Sequence, residues 1–438
     1  MYDGCTCRDK IMSLKVLMIG WEYPPLINGG LGIACHGISV SLTEFANVTL
    51  LLPVASKKIK EDKLKILGLN ADTTKSNYFS QNRYAGPLYD VKEIPADLDP
   101  YFTDSTPFPD ILNYKVKDEK NTLVMDVENP LYQGNMYERI HQFACAAEEI
   151  SRNIDFDLIH IHDWMTIPAG LRIKHTSGKP LVLHIHSLET DRSGDQSKGW
   201  VYQLERAGMN LADLMISVSH FTSKNIELYY GIEKRKIKTV HNGSQSITEI
   251  RRQKKSNEKI VVFVGRITRQ KGPELFLDIA EKVFSRNNLV RFVMAGTGDI
   301  LGELIEKSAV KTISDKIHFT GFLDSDKIKD LLSLADVYCM PSLSEPFGLS
   351  AIEAAQCDVP CVLSRQSGVS EVLRASLLFD WWDVNRAASL ILSVLNCDIL
   401  HRQLICDARR DIQSVSWKLS AQEIINAYRN SGVINRSI

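Results

Sequence analysis

The sequence predicts an α/β protein of two doubly wound domains, each a parallel sheet with helices on both faces. The chain has 438 residues, a length for which two domains are the natural prior. Short β-branched runs alternate with helical patterns along both halves. A charged, apolar-poor run, Glu249-Ile250-Arg251-Arg252-Gln253-Lys254-Lys255-Ser256-Asn257-Glu258-Lys259, interrupts that alternation and reads as a solvated linker. The expected boundaries are a first domain over 1–248 and a linker over 249–259. A second domain over 260–412 and a terminal helical segment over 413–438 follow. A cleft between the two domains is the expected ligand site.

In the first half the strands expected are Lys15–Gly20, Val48–Pro53, Leu158–His162, Leu181–His186 and Leu214–Val218. A helix is expected over Ile33–Ala46. Another covers Tyr137–Arg152, where Ile140, Phe143, Ala144, Ala147 and Ile150 recur at spacings of three and four. From about Ser56 to Thr122 prolines are frequent and no period emerges, so this span reads only as an insertion in the first domain. The second half predicts strands Ile260–Val264, Val290–Ala295, Ile317–Phe319, Val337–Met340, Val359–Leu363 and Leu377–Phe379. Pro273 with Glu274 opens a helix whose buried stripe is expected to include Leu275, Ile279 and Val283. A last helix runs from Trp417 through Ala427 to Tyr428.

Hydrophobic residues make up 44% and charged residues 24% of the chain, the composition of an ordinary globular protein. A formal charge of −1 gives no electrostatic reason to expect nucleic acid or an anionic membrane as partner. No apolar run approaches the roughly 20 residues of a spanning helix. Met1 to Ser13 lack the apolar core of a secretion signal, and Met12 is a candidate start. Of nine cysteines only Cys5 and Cys7 lie within two residues of each other, and no matching second pair completes a zinc site. They read as reduced thiols of a cytoplasmic protein.

Polar residues collect where the strands end, which is where ligands sit in such sheets. After the first strand come Trp21-Glu22-Tyr23-Pro24-Pro25 and Asn28-Gly29-Gly30-Leu31-Gly32. Gly29 and Gly30 let the backbone approach a phosphate or sugar closely. On Leu158–His162, His160 and His162 share one face; His184 and His186 do the same on the next strand. Paired His-x-His ligands occur in metal sites, but no carboxylate cluster completes a shell, and no metal is expected. His160 and His184 read as interior histidines. Arg266 and Lys271 follow strand Ile260–Val264, where two cations can bind a diphosphate and offset its charge as it leaves. Gly296-Thr297-Gly298 reads as a turn, or as a neighbour of a nucleotide base.

Ser344-Glu345-Pro346-Phe347-Gly348-Leu349-Ser350-Ala351-Ile352-Glu353 is the most informative segment. Glu345 falls on a loop, and a helix starts after Gly348. The backbone N–H groups of Phe347, Gly348 and Leu349 then lie at the helix's positive end, ready for an anion. Carboxylates beside an anion site suit sugar hydroxyls, which donate to them. A nucleotide-sugar site is the reading.

These residues resemble the E-x7-E element of retaining glycosyltransferases of the GT-B architecture. Asn28-Gly29-Gly30-Leu31 resembles the glycine loop of glycogen and starch synthases. His162-Asp163-Trp164 is similar to their His-Asp-Trp element, and Gly265-Arg266 with Lys271-Gly272 to their basic pair. Four motifs in the family's order cover most of the chain. The resemblance, extending to the large family 4, implies a GT-B fold of two Rossmann-like domains facing across a cleft. The first would bind acceptor and the second the nucleotide diphosphate sugar, with the last helix crossing back to the first domain.

It also implies roles. His162 and Glu345 would hold the donor sugar, with Asp163 and His186 as neighbouring ligands, and Glu353 would bind the ribose. Arg266, Lys271 and the helix start at Gly348 would stabilise the departing diphosphate. The acceptor hydroxyl would attack from the same face, without a metal or other cofactor. Bacterial glycogen synthases carry a lysine just before the glycines. Ile27 or Asn28 stands there in this chain, so an ADP-glucose preference is not carried over. Alternatives are a family 4 transferase acting on a lipid, small-metabolite or protein hydroxyl, and an inactive nucleotide-sugar-binding scaffold.

Overall fold

A computed structural model describes residues 14–27, 29–56, 61–69, 136–245 and 258–434. The chain forms two compact units, neither of them continuous in sequence. One holds Met1–Ser217, Asn225–Val240 and Ser420–Ile438; the other holds Val218–Lys224 and His241–Leu419.

The first unit is built on a seven-stranded parallel sheet, ordered β3-β2-β1-β4-β5-β6-β7. Its strands are β1 (Lys15–Ile19), β2 (Asn47–Leu52), β3 (Lys65–Gly68), β4 (Leu158–His162), β5 (Leu181–Ile185), β6 (Leu214–Ser217) and β7 (Ile237–Thr239). Two of these were not legible in the sequence. β3 lies inside the span read as an insertion and pairs with β2 from Thr49↔Lys65 to Leu52↔Gly68. β7 pairs with β6. Both are short edge strands, Lys65-Ile66-Leu67-Gly68 and Ile237-Lys238-Thr239, without the unbroken apolar run that marks the equally short Leu377–Phe379. Apart from residue 56 and residues 61–69, the rest of that span lies outside the described residues, as do Cys5, Cys7 and Met12.

The Gly30–Leu42 helix begins three residues earlier than its apolar pattern suggested, because Gly30 and Gly32 fill its first turn. It ends at Leu42, where Thr43 turns its hydroxyl back to the Val40 carbonyl. The Met136–Ser151 helix lays Ile140, Phe143, Ala144 and Ala147 on a core with Leu17, Ile159, Ile161 and Leu183. Each fully buried Ile, Leu or Phe side chain among them contributes about 1.5–3 kcal/mol relative to exposure. On the opposite face of β4, His160 meets Tyr428 of the Trp417–Asn430 helix, whose residues from Ser420 onward belong to this unit.

The second unit carries a six-stranded parallel sheet, ordered β10-β9-β8-β11-β12-β13. Its strands are β8 (Lys259–Val264), β9 (Val290–Ala295), β10 (Ile317–Gly321), β11 (Val337–Met340), β12 (Cys361–Ser364) and β13 (Leu377–Phe379). Residues 249–257 of the expected linker lie outside the described residues. Glu258 already pairs with Arg291 of β9, and Lys259 starts β8. β12 begins at Cys361 rather than Val359, because Pro360 has no N–H and only its carbonyl pairs, with the Tyr338 N–H (2.9 Å).

Alternate residues of β8 separate two cores. Phe263 packs with Phe276 and Phe292 on one face, and Val262 with Tyr338 and Ile352 on the other. The Pro273–Phe284 helix buries Phe276, Leu277, Ile279, Ala280 and Val283, while Leu275, expected in that stripe, stays half-buried. In both sheets the chain order reverses beside the first strand, between β1 and β4 and between β8 and β11. These are the switch points at whose carboxyl ends ligands bind.

Candidate active site

At the first unit's switch point, β1 runs into a loop closed by reciprocal backbone hydrogen bonds between Tyr23 and Leu26. Trp21, Glu22 and Tyr23 are buried there. Gly29 is extended and Gly30 opens the helix. Gly32, which sequence reasoning did not single out, is the tight position. A Cβ there would lie 2.3 Å from Ile27 Cγ2 and 3.1 Å from the Glu22 Cβ. The signal was the third glycine of Gly-Gly-Leu-Gly. Asn28 is outside the described residues.

The four histidines form a buried stack across β4 and β5, with His162 paired to His184 in the strand register. His160 Nε2 meets His184 Nδ1 at 3.2 Å, and His162 Nδ1 meets His186 Nε2 at 2.8 Å. Burial pushes all four imidazoles down, His160 and His186 to about 3, so the stack is neutral. His162 Nε2, His184 Nε2 and His186 Nδ1 are buried without a hydrogen-bond partner.

Nitrogens of His160, His162 and His184 come within 4.8 Å of one another. Their planes are tilted by 27° (His160–His162), 20° (His162–His184) and 43° (His160–His184). His160 uses both ring nitrogens, on Tyr428 and His184, and His162 Nδ1 is on His186. Of the three residues only His162 Nε2 and His184 Nε2 are therefore without a partner, too few for a tetrahedral ion. The stack does not fit a metal well.

Asp163 has φ of +58°, a backbone state that costs a non-glycine residue about 1–3 kcal/mol. Its Oδ1 accepts from the backbone N–H groups of His186 (2.6 Å) and Ser187 (3.3 Å). The carboxyl, read in the sequence as a ligand contact, thus holds the end of β5 beside the end of β4. Burial raises it to about 7, against the pull of those N–H groups. Thr166 donates to the carbonyls of His162 and Asp163 and fixes the turn that follows.

In the second unit the loops after β8 and β11 interlock. Gln270 Nε2 donates to the Ser344 carbonyl (3.0 Å), and the Leu343 N–H to the Gln270 carbonyl (2.9 Å). Gly272 has φ of +66°, and a Cβ there would lie 2.0 Å from the Pro341 oxygen. Lys271 Nζ and Glu345 are brought together as an ion pair, with Ser342 Oγ 3.5 Å from the same carboxylate. The two residues assigned separately to diphosphate and sugar therefore hold each other. Arg266 is half-buried on the loop before them, over which the chain at Gly296 and Gly298 lies. A Cβ at Gly296 would be 1.9 Å from the Gly265 oxygen, so these glycines serve close backbone packing.

Glu345 sits beside Ser367 in a short parallel bridge, its N–H donating to Gln366 and its carbonyl accepting from Gly368. Phe347 is buried. Gly348, with φ of +107°, turns the chain into the Leu349–Gln356 helix. Glu353 lies in that helix, where burial raises its carboxyl to about 7 and Lys329 pulls the other way.

Sequence reasoning missed the supports of this loop. Ser219 Oγ donates to the Pro346 carbonyl at 2.6 Å. Glu371 accepts from the N–H groups of His220 and Phe221 and meets His241 Nε2 at 2.7 Å. His220, His241 and Glu371 also cluster within 4.8 Å, but the carboxylate already serves two backbone donors and an imidazole.

The Glycosyl transferases group 1 family matches residues 246–411, and Glycosyltransferase Family 4 matches residues 112–244. Between them the two cover most of the chain. An uncharacterized glycosyltransferase of Methanocaldococcus jannaschii is 26% identical, over 95% of this chain and 98% of that one. The glycogen synthase of Mycobacterium tuberculosis is 24% identical over 82% and 80%. The solved structure of Anabaena HepE with UDP-glucose superposes with a TM-score of 0.64 at 16% identity, over 95% of this chain and 100% of that one. The fold is GT-B. The chain belongs to the glycosyltransferases, with a family 4 region followed by a group 1 region. No single helix among the described residues is long and apolar enough to cross a membrane.

Proposed function

We propose that this enzyme is a retaining glycosyltransferase that moves a hexose, glucose in the first instance, from a nucleotide diphosphate sugar to an acceptor hydroxyl. The observation that carries the proposal is the loop pair of the second unit. Lys271, Glu345 and the start of the Leu349–Gln356 helix meet at one switch point. An ammonium and a helix N-terminus suit a diphosphate, and a carboxylate suits sugar hydroxyls. Arg266 and Lys271 stabilise the leaving diphosphate together with the backbone from Phe347 to Leu349. Glu345 holds the transferring sugar and Glu353 the ribose.

In the first unit His162 is the donor-sugar ligand, and the Gly29-Gly30 loop lies on the acceptor side. The cations neutralise the leaving group, so no metal is needed. HepE was solved with UDP-glucose, which supports a sugar nucleotide as donor. The Family 4 match over 112–244 favours one second reading, a lipid, small-metabolite or protein hydroxyl as acceptor.

A thermal-shift panel of UDP-, ADP- and GDP-sugars tests the donor, since a ligand that binds only the folded state raises Tm. At least one sugar nucleotide should raise it and be hydrolysed or transferred, at a rate that saturating EDTA leaves unchanged. No shift with any of them would defeat the reading; loss of rate on chelation, restored by zinc or manganese, would defeat the metal-free mechanism.

A further inference from the structure

We propose that His186 is a positioning residue, holding the ring of His162 and setting which of its nitrogens carries the proton. This rests on the reading of His162 as the donor-sugar ligand. Nδ1 of His162 is 2.8 Å from Nε2 of His186, while Nε2 of His162 has no hydrogen-bond partner. A hydrogen bond between two neutral imidazoles holds a single proton. If His186 donates, Nε2 of His162 carries the other proton and presents a donor; if His162 donates, its Nε2 presents a lone pair. Either way, the chemistry His162 offers at Nε2 is decided by His186.

His186 is itself fixed from three sides. It lies one residue beyond β5, and its backbone N–H is held by Asp163 Oδ1 at 2.6 Å. Its ring stacks on His184 at 4.4 Å with an 18° tilt, and meets His162 edge to edge, with ring centres 5.1 Å apart and planes 23° from parallel. Asp163 adjoins His162 in the chain, so the two strand ends are joined twice, once through backbone and once through side chains. A group that only touched substrate would not need this bracing. Burial keeps both imidazoles neutral at working pH, the condition under which one proton is shared.

His186→Leu keeps an apolar side chain of similar size and removes the hydrogen bond. His186→Gln places an amide near the position of Nε2, able to donate to or accept from His162. His186→Leu should lower kcat by about 10- to 100-fold, by analogy with the loss of a partner that orients a metal-bound imidazole. Donor KM should change less than about twofold, and His186→Gln should recover most of kcat.

In wild-type protein labelled with 15N-histidine, a hydrogen-bonded ring N–H shared by His162 and His186 should be visible and absent from His186→Leu. If His186→Leu does not fold, His186→Asn replaces it. Its amide stops short of His162, so kcat should fall well below that of His186→Gln. Higher donor KM with kcat kept would overturn the proposal in favour of direct substrate contact. Equal kcat in the Gln and the Leu or Asn variants would overturn it, as would absence of the shared N–H. A wild type that shows the N–H but transfers no sugar would instead count against the proposed function.

Discussion

Lys271 and Glu345 pair with each other, so removing either leaves a partner behind. Glu345 is 6% exposed at its side chain and Lys271 23%. Breaking such a pair from one side costs about 3–5 kcal/mol when both groups are fully buried, and less here because the ammonium reaches solvent. Lys271→Ala should therefore lower Tm as well as turnover. Arg266→Ala and Lys271→Ala should each cut kcat by about a hundredfold or more, the scale of removing one charge stabiliser from a transition state. Steady-state kinetics of folded variants check this, and near-normal turnover in both would remove them from the mechanism.

The two glutamates separate by the same logic. On the proposed assignment Glu345→Gln should mainly slow kcat, because that carboxylate would face the sugar as its ring gains positive character. Glu353→Gln should mainly raise donor KM, since a ribose contact is made equally before and during reaction. Burial holds the Glu353 carboxyl near 7, so it gains a proton as pH falls through neutrality. Donor KM should rise over that window in the wild type and stay flat in Glu353→Gln. A pH-independent KM in the wild type would contradict the ribose assignment.

Among the elements, the two loops of the second unit depend on glycines with positive φ. Gly272, at +66°, ends the loop after β8 and opens the Pro273–Phe284 helix. Gly348, at +107°, opens the helix that carries Glu353. A Cβ at Gly272 would meet backbone, the Pro341 oxygen at 2.0 Å, which has no room to move. At Gly348 it would meet side-chain atoms of Met340 and Glu345 at 3.2–3.3 Å, which can yield. Both substitutions carry strain of about 1–2 kcal/mol from the left-handed backbone. Gly272→Ala should cost more than Gly348→Ala by urea titration, because its clash adds to that strain. The reverse order would mean that the loops are not held by this close approach.

For the molecule as a whole, buried ionisable groups oppose one another in acid. The four stacked histidines have native pKa values below the ordinary 6.5. Their contribution is fully present above 6.5 and is lost as pH falls, because the unfolded chain binds the protons. Asp163, Glu353 and Glu205, which lies on the Trp200–Leu211 helix of the first unit and is buried against Arg192, have native values raised to about 7 by burial. The native state binds their protons more tightly, so they contribute stability below the unfolded carboxyl range that is lost as pH rises toward 7. Between about pH 4.5 and 6.5 the two sets act against each other, and stability should change little. Below that the carboxyls are protonated in both states, the histidines act alone, and stability should fall steeply. Tm measured from pH 3 to 8 checks this; a steep fall already at pH 6 would mean that the carboxyls are not raised.

The sequence by itself determined the class of fold, eleven of the thirteen strands and the order of the motifs. Strands buried on both faces declare themselves as unbroken β-branched runs, and Gly-Gly, His-Asp-Trp and the two glutamates can be read locally. It also placed Glu345 on a loop and the helix start at Gly348. Tertiary structure alone decided what these residues touch. The edge strands β3 and β7, Lys65-Ile66-Leu67-Gly68 and Ile237-Lys238-Thr239, carry no apolar run of their own and exist through pairing with a neighbour. Lys271 finds Glu345 across 74 residues and Ser219 finds Pro346 across 127. Asp163 holds the backbone at His186 rather than facing outward, and His186 holds His162. The periodicity of a sequence records which side of an element is buried. Which buried polar group satisfies which other is settled only when distant segments pack, because an unpaired polar group in the interior costs more than the choice of partner.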